Sequence, residues 1–355
     1  MDRKYFGNSL LSNSEALFNT SIFISGSYGM LASFFVFYLI YLNEEHNANI
    51  KIICQGRNHE KMASRFGEYL DKDYFIEVND DICSELNIEN DVDYIVHAAS
   101  LSSSQYVNSR PVDVLMPNAL GTYYLLELAR KKNVKSFLFL STGEVYGNIP
   151  PSDTVYDETT GFGTLDSMNI RNCYAESKRM GELLCKAYFV QYGIRTVVTR
   201  LAHTYGPTMD LINDKRVFTE FVKNIVNNED IVIKSSGTTE RIFCYAADAI
   251  EAFILMMTKG EGGEAYNLYN NYQRVMIREL AERLVALYPE KNLKVVYEKR
   301  DDANYLECPV EKPIRMSTDK LESLGWKPKY NIEEGFKLTI DYFESHKKQN
   351  QFTGN

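Results

Sequence analysis

The sequence places a tyrosine and a lysine four residues apart, at Tyr174 and Lys178, in a segment that predicts a helix. Side chains at this spacing lie on one face of a helix, so both polar groups would point the same way. An ammonium group beside a phenol favours the phenolate and lowers the pKa of the tyrosine. The pair would then exchange a proton with a substrate hydroxyl while a hydride moves to or from a nicotinamide. The alternative is an exposed helix, since this spacing is common by chance.

A hydroxyl and a carboxylate follow the strand predicted over 136–140, at Thr142 and Glu144. Ligands bind at the carboxyl ends of the strands in open parallel sheets, so Thr142 would hydrogen-bond to the same substrate oxygen as Tyr174. A carboxylate beside a reactive sugar ring would move a carbon-bound proton, which is the role expected of Glu144. The alternative for Glu144 is a glutamate in a surface loop.

A glycine turn stands between the first predicted strand and the first predicted helix. It reads GxxGxxA over residues 26–32, in which Gly26 allows the tight turn and Gly29 lets the backbone approach a pyrophosphate. The small residue Ala32 lets helix and strand pack closely, and the helix N-terminus offers N–H groups to phosphates. The sequence therefore predicts dinucleotide contacts from this turn, and the alternative is a plain turn. The predicted contacts are Gly26, Ser27, Tyr28, Gly29 and Met30.

The second predicted strand ends without the acidic residue that would hold a ribose 2′-hydroxyl. Arg57 stands there instead and would hold a 2′-phosphate, which favours NADP over NAD. The alternative is a solvated arginine. Asp81 and Ile82 follow the third predicted strand and would border the adenine.

The elements that must position these residues alternate between short β-branched runs and helix-length stretches. Strands are predicted over 21–25, 50–54, 74–77, 93–97, 136–140 and 195–200. Helices are predicted over 112–132, 172–192, 217–227, 248–259, 277–287 and 332–345. Near-continuous apolar strands that alternate with helices predict a parallel sheet covered on both faces. The expected fold class is therefore α/β, with a doubly wound parallel sheet.

A length of 355 residues suggests two domains at about 150 residues each. We expect a dinucleotide-binding domain over 1–206 and about 240–262. A smaller mixed domain would hold the substrate over about 207–239 and 263–355. The residues before Ser21 predict a short helix that leads into the first strand.

Composition excludes several classes of protein. The chain is 45% hydrophobic and 25% charged, as globular proteins are, and its net charge of −9 argues against nucleic acid as a partner. Its six cysteines form no CxxC pair, so we expect reduced, mostly buried thiols. The five histidines show no ligand spacing, so no metal site is expected.

The apolar run over 21–42 is long enough to cross a bilayer. The glycine turn interrupts it, so we favour a buried strand, a turn and a buried helix, with a membrane span as the alternative. The chain begins without a basic segment typical of a secretory signal. We therefore expect a cytoplasmic protein without a membrane partner.

Together these motifs resemble the extended short-chain dehydrogenase/reductases, the NAD(P)-dependent nucleotide-sugar epimerase, dehydratase and decarboxylase group. The resemblance covers about residues 20–329 and implies a Rossmann sheet with a smaller C-terminal substrate domain. It also implies a tightly bound NAD or NADP. The matching positions are Gly26, Gly29 and Ala32 in the turn, Asp81 and Ile82 at the adenine, His97, Ala98 and Ala99 after the fourth strand, Asn118 in the long helix, and Thr142, Tyr174 and Lys178 in the catalytic set.

Residues 141–147 read STGEVYG, which is similar to the STDEVYG of dTDP-glucose 4,6-dehydratases and the STSEVYG of UDP-glucuronate decarboxylases. The resemblance implies oxidation at C4 of the sugar to a 4-keto intermediate, followed by decarboxylation or 4,6-dehydration, in surface-polysaccharide precursor synthesis. Gly143 replaces the Asp or Ser of both groups. A dehydratase uses an acid to expel water, whereas CO2 leaves a β-keto acid by itself. The alternatives are a C4 epimerase, an NADPH-dependent reductase and a non-catalytic nucleotide-binding protein.

The resemblance also implies which residues bind the nucleotide-sugar. Arg216 and Arg241 would grip the diphosphate or the nucleotide. His203 stands where these families usually have asparagine, and we assign it to both cofactor and substrate. Cofactor contacts would also come from Ala98, Ala99, Asn118 and Lys178. The expected substrate contacts are Ser100, Tyr106, Arg171, His203, Arg216 and Arg241.

Family members commonly dimerise through a bundle of the two helices before and at the tyrosine–lysine motif. The apolar residues over 125–129 and 183–185 fit this arrangement and predict a homodimer. The alternative is that these residues belong to the core.

Overall fold

A computed structural model describes residues 1–7, 11–102, 104–149, 155–160, 162–298 and 315–347. The strands are β1 (Ser21–Ser25), β2 (Lys51–Gln55), β3 (Phe75–Val78), β4 (Tyr94–His97), β5 (Ser136–Thr142), β6 (Val155–Tyr156), β7 (Thr196–Leu201), β8 (His203–Tyr205), β9 (Ile231–Ile233), β10 (Glu240–Tyr245), β11 (Glu264–Leu268), β12 (Arg274–Met276), β13 (Val295–Tyr297) and β14 (Arg315–Met316). The helices are α1 (Met30–His46), α2 (His59–Phe66), α3 (Ser104–Ser109), α4 (Pro111–Met116), α5 (Thr122–Lys132), α6 (Cys173–Tyr192), α7 (Val217–Asn227), α8 (Ala246–Lys259), α9 (Ile277–Ala286), α10 (Asp319–Glu322) and α11 (Ile332–Ser345).

Seven of these strands form one sheet in the order β11-β7-β5-β4-β1-β2-β3. Every neighbouring pair in it is parallel. All residues of β1 and β4 are buried, as expected for strands covered by helices on both faces. The predicted doubly wound α/β fold is confirmed, and the six predicted strands lie within two residues of the observed ones.

The helix predicted over 112–132 is continuous but changes its hydrogen bonding in the middle. A π-helical turn, Pro117–Gly121, joins α4 to α5. Such turns are rare and often lie at functional sites. This one places Asn118 inside the protein, fully buried.

The short helix expected before Ser21 takes the form of two 3-10 helices, Arg3–Tyr5 and Ser14–Leu17. The backbone at Leu11 and Ser12 is held by distant side chains, since the N–H of Leu11 donates to Tyr38 Oη (3.1 Å) and that of Ser12 to Glu251 (3.0 Å).

The helix α1 is buried on all sides, with every residue from Ala32 to Leu42 in the interior. The N-terminal residues cover one side of it, and Phe6 packs on Phe34 and Tyr38. Its apolar sequence therefore serves the core. Among the described residues, no helix is long and apolar enough to cross a membrane.

The last third of the chain adds smaller sheets, in which β10 pairs with β8 and β12, β9 with β13, and β6 with β14. The ring of Tyr205 stacks on Phe336 of α11 at 3.8 Å, which joins this part to the C-terminal helix. The domain boundary expected at residue 263 would assign β11 to the second domain. However, β11 pairs with β7 and so belongs to the large sheet. We propose that the division into two domains falls after Leu268.

The apolar residues expected at a dimer interface divide into two groups. Leu125, Leu126, Leu128 and Cys185 are buried in the core, as the alternative stated. Leu183 is 65% exposed. The free thiols of Cys54, Cys173, Cys185 and Cys244 are buried and Cys83 is partly buried, whereas Cys308 lies outside the described residues.

The helix α6 lies unusually close to β5. A Cβ atom on Gly181 would lie 2.3 Å from the ring of Phe139, so this contact is possible only with glycine. The Phe139 ring is completely buried and also faces His97 at 5.4 Å, which leaves it little room to move.

The variant Gly181→Ala should therefore push α6 away from β5. Overpacking of this kind costs about 1–3 kcal/mol of unfolding free energy. Gly67→Ala is the matched control, since its Cβ would meet nothing within 4 Å and its φ of −50° suits alanine. Urea denaturation of both variants checks this, and a Gly181→Ala protein as stable as Gly67→Ala would contradict the close contact.

Candidate active site

The glycine turn lies between β1 and α1, where the strand residues end and the helix amides begin. Gly26 has φ +62°, and a Cβ there would lie 2.7 Å from the Cα of Ala99, so the turn presses against the end of β4. The N–H of Gly26 donates to Gln55 Oε1 (3.1 Å), and the Ser27 hydroxyl donates to the carbonyl of Gln55. The first amides of α1, which begins at Met30, have no acceptor within the helix and would face an anion.

This arrangement fits a dinucleotide. Gly26 lets the turn close onto Ala99, so the ends of β1 and β4 meet at the start of α1. Among the described residues, two of the predicted ligand contacts have a buried polar atom without a hydrogen-bond partner. These atoms are Ser100 Oγ and Asn118 Oδ1. Buried polar atoms normally have a hydrogen-bond partner, so these two suit a bound ligand.

The end of β2 carries Arg57, as expected for a group near the adenosine ribose. Its guanidinium donates to Asp81 Oδ2 at 3.2 Å, and both side chains are about half exposed. Burial raises the pKa of Asp81, but the Cys83 amide and Arg57 lower it by more, so the net shift is downward. Ile82 is buried against Gly121 of the π-helical turn. The structure thus pairs Arg57 with Asp81, which we predicted as two separate cofactor contacts. Tyr28 packs on Gly56 of the same region.

A buried polar chain connects β4 to the π-helical turn. His97 Nδ1 lies 2.8 Å from Ser25 Oγ, and its Nε2 lies 3.2 Å from the Pro117 carbonyl. The Ser25 hydroxyl already accepts from the amides of Ala98 and Ala99, so it donates to Nδ1. Burial and the charge of Lys178 lower the pKa of His97 to about 3. This histidine is therefore neutral and structural.

Asn118 holds the helix of the tyrosine–lysine motif. Its Nδ2 donates to the Val114 carbonyl (2.9 Å) and to Ser177 Oγ (3.0 Å). The Ser177 hydroxyl in turn donates to the Tyr174 carbonyl at 2.9 Å. Ser177 and Gln55 are not among the residues predicted from the sequence. The signal for Ser177 was its place inside the motif, and Gln55 had none beyond its position at the end of β2.

Lys178 is almost completely buried, and its Nζ donates to the Leu140 carbonyl at 2.6 Å. The same atom lies 5.9 Å from the centre of the Tyr174 ring. Burial lowers the pKa of Lys178 to about 7, and the charge of Glu182 opposes this. The carbonyl at the end of β5 thus fixes the ammonium in the site.

Tyr174 meets Thr142 and Glu144 at the end of β5. Burial raises the pKa of Tyr174 most, and the charge of Glu144 raises it further. Hydrogen bonding by the Thr142 side chain opposes this rise. The lowering expected from Lys178 therefore does not dominate, because the phenol is removed from solvent. Without a ligand, the phenol keeps its proton.

A cationic group lies beside these residues. Burial lowers the pKa of His203 to about 4, and the charges of Arg241 and Arg216 lower it further. Arg216 is also ion-paired with Asp214 at 2.6 Å. Arg216 acts electrostatically on both His203 and Tyr174, so the arginine adjoins the catalytic set. Such a group suits a diphosphate.

The other expected substrate residues lie around the same pocket. Arg171 Nη1 lies 4.0 Å from Glu144 Oε2. Tyr106 packs against the small apolar cluster that contains Cys173 and Tyr174. The structure thus brings together Thr142, Glu144, Tyr174, Lys178, Arg171 and Arg216, with the glycine turn at the neighbouring strands.

Comparisons with known proteins agree with this geometry. A family model described as the NAD dependent epimerase/dehydratase family matches residues 22–270. The chain is 32% identical to the dTDP-D-glucose 4,6-dehydratase of Mus musculus over 257 residues, which covers 72% of this chain and 68% of that protein. It is 30% identical to UDP-glucuronic acid decarboxylase 6 of Arabidopsis thaliana, with 92% and 89% covered.

A solved structure of UDP-glucose 4-epimerase with UDP-glucose, from Thermotoga maritima, has a similar fold. The TM-score is 0.75 at 24% identity, with 92% of this chain and 99% of that chain covered. At this identity the likeness concerns the fold.

The buried Lys178 should make the stability of the unliganded protein depend on pH. Between pH 7 and its ordinary pKa of 10.5, the lysine is neutral when folded and protonated when unfolded. The unfolded state then binds more protons, so stability should rise with pH by about 1.4 kcal/mol per unit relative to Lys178→Met. The exposed Lys61→Met is the control. Denaturation at pH 7.5, 8.5 and 9.5 measures this, and parallel curves for wild type and Lys178→Met would refute it.

Proposed function

This chain belongs to the NAD dependent epimerase/dehydratase family, and we propose that it is a nucleotide-sugar decarboxylase or 4,6-dehydratase. It would oxidise C4 of the sugar and then act at C5 and C6. One observation carries the proposal, namely that Thr142 and Glu144, at and just after the end of β5, lie close enough to Tyr174 to shift its pKa. A proton acceptor for a hydroxyl and a separate carboxylate for a C–H proton suit both steps.

Tyr174 would take the proton of the C4 hydroxyl, while Thr142 hydrogen-bonds to the same oxygen and orients it. When bound, the nicotinamide would accept the hydride from C4. Lys178 donates a hydrogen bond to the Leu140 carbonyl, and in its protonated form it would favour the tyrosinate. The C4 ketone makes the C5 proton acidic and weakens the bond from C5 to a carboxylate.

Glu144 favours chemistry at C5 over simple exchange at C4. It adjoins Tyr174, yet its side chain is about half exposed and paired only loosely with Arg171. A carboxylate placed there would handle the C5 proton or orient a C5 carboxylate. The names of the mouse and Arabidopsis relatives cover both outcomes, since one is a 4,6-dehydratase and the other a decarboxylase.

The nucleotide-sugar would lie between the cationic group and the end of β5. Arg216 and Arg241 supply the positive potential that a diphosphate needs, and the neutral His203 lies within reach of both charges. Tyr106 would flank the sugar, as it packs in the cluster that contains Tyr174.

For the cofactor, we favour NADP over NAD. Gln55 ends β2 and is used by the Gly26 amide, so no carboxylate stands there for a ribose 2′-hydroxyl. Arg57 is half exposed at the same place and would exchange Asp81 for a 2′-phosphate. Release of the bound cofactor and its mass would decide, and NAD alone would contradict this preference.

The test is mass spectrometry of nucleotide-sugars after incubation with the protein and NAD or NADP. The panel holds UDP-glucuronate, dTDP-glucose, UDP-glucose and GDP-mannose. We expect loss of CO2 from UDP-glucuronate or loss of water from a hexose. Tyr174→Phe should lower turnover by about 100-fold or more and still bind the substrate.

The exposed Tyr272→Phe serves as the control and should act as wild type, since Tyr272 is 79% exposed. An isomer of unchanged mass would point to an epimerase, and net reduction would point to a reductase. Full activity of Tyr174→Phe would refute the assigned role of the tyrosine.

We also propose a homodimer through an apolar face on α4, α5 and α6. This face consists of Met116, Leu120, Tyr123, Met180, Leu183 and Val190, each between 37% and 73% exposed. Their spacing of three or four residues along α4–α5, and of three and seven along α6, aligns them on packed neighbouring helices. An exposed apolar stripe of this kind indicates a protein interface.

Leu183→Glu should place a charge in that interface and convert a dimer to a monomer. Ile212→Glu is the control, because Ile212 is similarly exposed but lies outside the stripe. Size-exclusion chromatography with light scattering measures the mass. A monomeric wild type, or a dimer in both variants, would exclude this interface.

A further inference from the structure

The space beside Gly143 is filled by a side chain from a distant strand. A Cβ atom on Gly143 would lie 2.0 Å from the hydroxyl oxygen of Tyr269, which follows β11. No ordinary side chain fits at that distance, so the Tyr269 hydroxyl in this position requires glycine at 143. Gly143 itself stands between Thr142 and Glu144, so this hydroxyl points at the catalytic turn.

The Tyr269 ring is firmly held. It is 8% exposed and packs in a cluster with Val145, Tyr146, Tyr156 and Met316. This cluster joins the turn after β5 to β6 and β14. The ring therefore keeps its hydroxyl in one place beside residue 143.

Burial raises the pKa of Tyr269, and the charge of Arg200 opposes this rise. Its phenol therefore keeps its proton at neutral pH and acts as a hydrogen-bond donor. Among the described residues, none is found to hydrogen-bond with this hydroxyl, which leaves the donor available to a ligand.

We propose that Tyr269 contacts the substrate and donates a hydrogen bond to a carboxylate at C6 of the sugar, in place of the side chain that Gly143 lacks. This inference rests on the proposed function and makes it more specific. It assigns a nucleotide-linked hexuronate as the substrate class, and decarboxylation as the reaction.

The position of the hydroxyl supports the C6 group. Thr142 and Tyr174 serve the oxygen on C4, and Glu144 serves C5. The Tyr269 hydroxyl adjoins Gly143, the residue between Thr142 and Glu144. With those roles at C4 and C5, we assign the hydroxyl to the group that C5 carries outside the ring. The group attached to C5 outside the ring is C6.

The chemistry of the donor supports a carboxylate. A carboxylate accepts hydrogen bonds at both oxygens, and a bond to a charged acceptor is stronger than a neutral one. Holding one oxygen would fix rotation about the C5–C6 bond relative to the C4 ketone. The C5–C6 bond then breaks, its electron pair moves to C5 and the C4 oxygen, and CO2 leaves. Tyr269 loses no proton in this step.

The experiment compares wild type with Tyr269→Phe, Gly143→Ser and the double variant. UDP-glucuronate and UDP-xylose are the probes, because UDP-xylose has the same nucleotide but no C6 carbon. Tyr269→Phe should lower kcat/KM for UDP-glucuronate by about tenfold, as expected for one lost hydrogen bond to a charged group. Its affinity for UDP-xylose should not change.

Gly143→Ser should lose activity because its Cβ overlaps the Tyr269 hydroxyl. The double variant removes that oxygen and leaves the ring carbon Cζ 3.3 Å from the new Cβ, a tight contact that a shift of a few tenths of an ångström relieves. We expect the double variant to recover most of the lost activity. Thermal unfolding of each variant separates loss of folding from loss of catalysis. A merely structural role predicts that the double variant regains stability but acts on UDP-glucuronate no better than Tyr269→Phe.

The outcomes keep the two proposals apart. If wild type releases no CO2 from UDP-glucuronate but acts on another sugar, the hexuronate assignment fails while the C4 oxidation stands. If wild type decarboxylates and Tyr269→Phe does so equally well, the role of Tyr269 fails alone. If Tyr269→Phe weakens UDP-xylose as much as UDP-glucuronate, the contact is not with C6.

Discussion

The arrangement of the site depends on how closely α6 approaches β5. Gly181 lets the helix backbone contact the ring of Phe139, and any larger residue would overlap that ring. From this position Lys178 reaches the Leu140 carbonyl, and Tyr174 reaches Thr142. A shift of the helix by one atomic diameter would break both interactions. The positions of the catalytic side chains therefore depend on the packing of α6 against β5.

Desolvation then sets the charges. Lys178, Tyr174 and His97 are all buried, and in each case burial shifts the pKa toward the neutral form. The charge that remains is at the rim, where Arg216 is paired with Asp214 and adjoins His203. A neutral interior beside a cationic rim suits a ligand that carries its own charges, such as a dinucleotide and a sugar diphosphate.

A second polar layer supports the first. Arg200 makes a buried ion pair with Glu182 at 2.8 Å, and Glu182 accepts from Ser141 at the end of β5. Glu182 also opposes the lowering of the Lys178 pKa. Breaking one partner of such a buried pair is costly because the other charge stays unpaired. The strand end that carries Thr142 is thereby tied to α6 by a second contact, and Arg200 of β7 holds Glu182 in place.

Local sequence patterns determined much of this protein. The glycine turn, the Tyr174–Lys178 spacing and the residues after β5 follow from short segments, and so does the alternation of strands and helices. Each depends on backbone preferences and periodicity that act over a few residues. Six strands of the large sheet and the fold class were therefore predictable.

The tertiary structure decided what distant residues do to one another. The Leu140 carbonyl that holds Lys178, the pairing of Arg57 with Asp81, and the addition of β11 beside β7 join parts far apart in the chain. The sequence predicted a lowered pKa for Tyr174, but burial raised it, because the depth of a pocket is set by every element around it. Likewise, the sequence shows that position 143 has no side chain, but only the fold places the Tyr269 hydroxyl in that space. Short-range spacing fixes which groups share a face, whereas solvent exclusion and long-range contact depend on the packed whole.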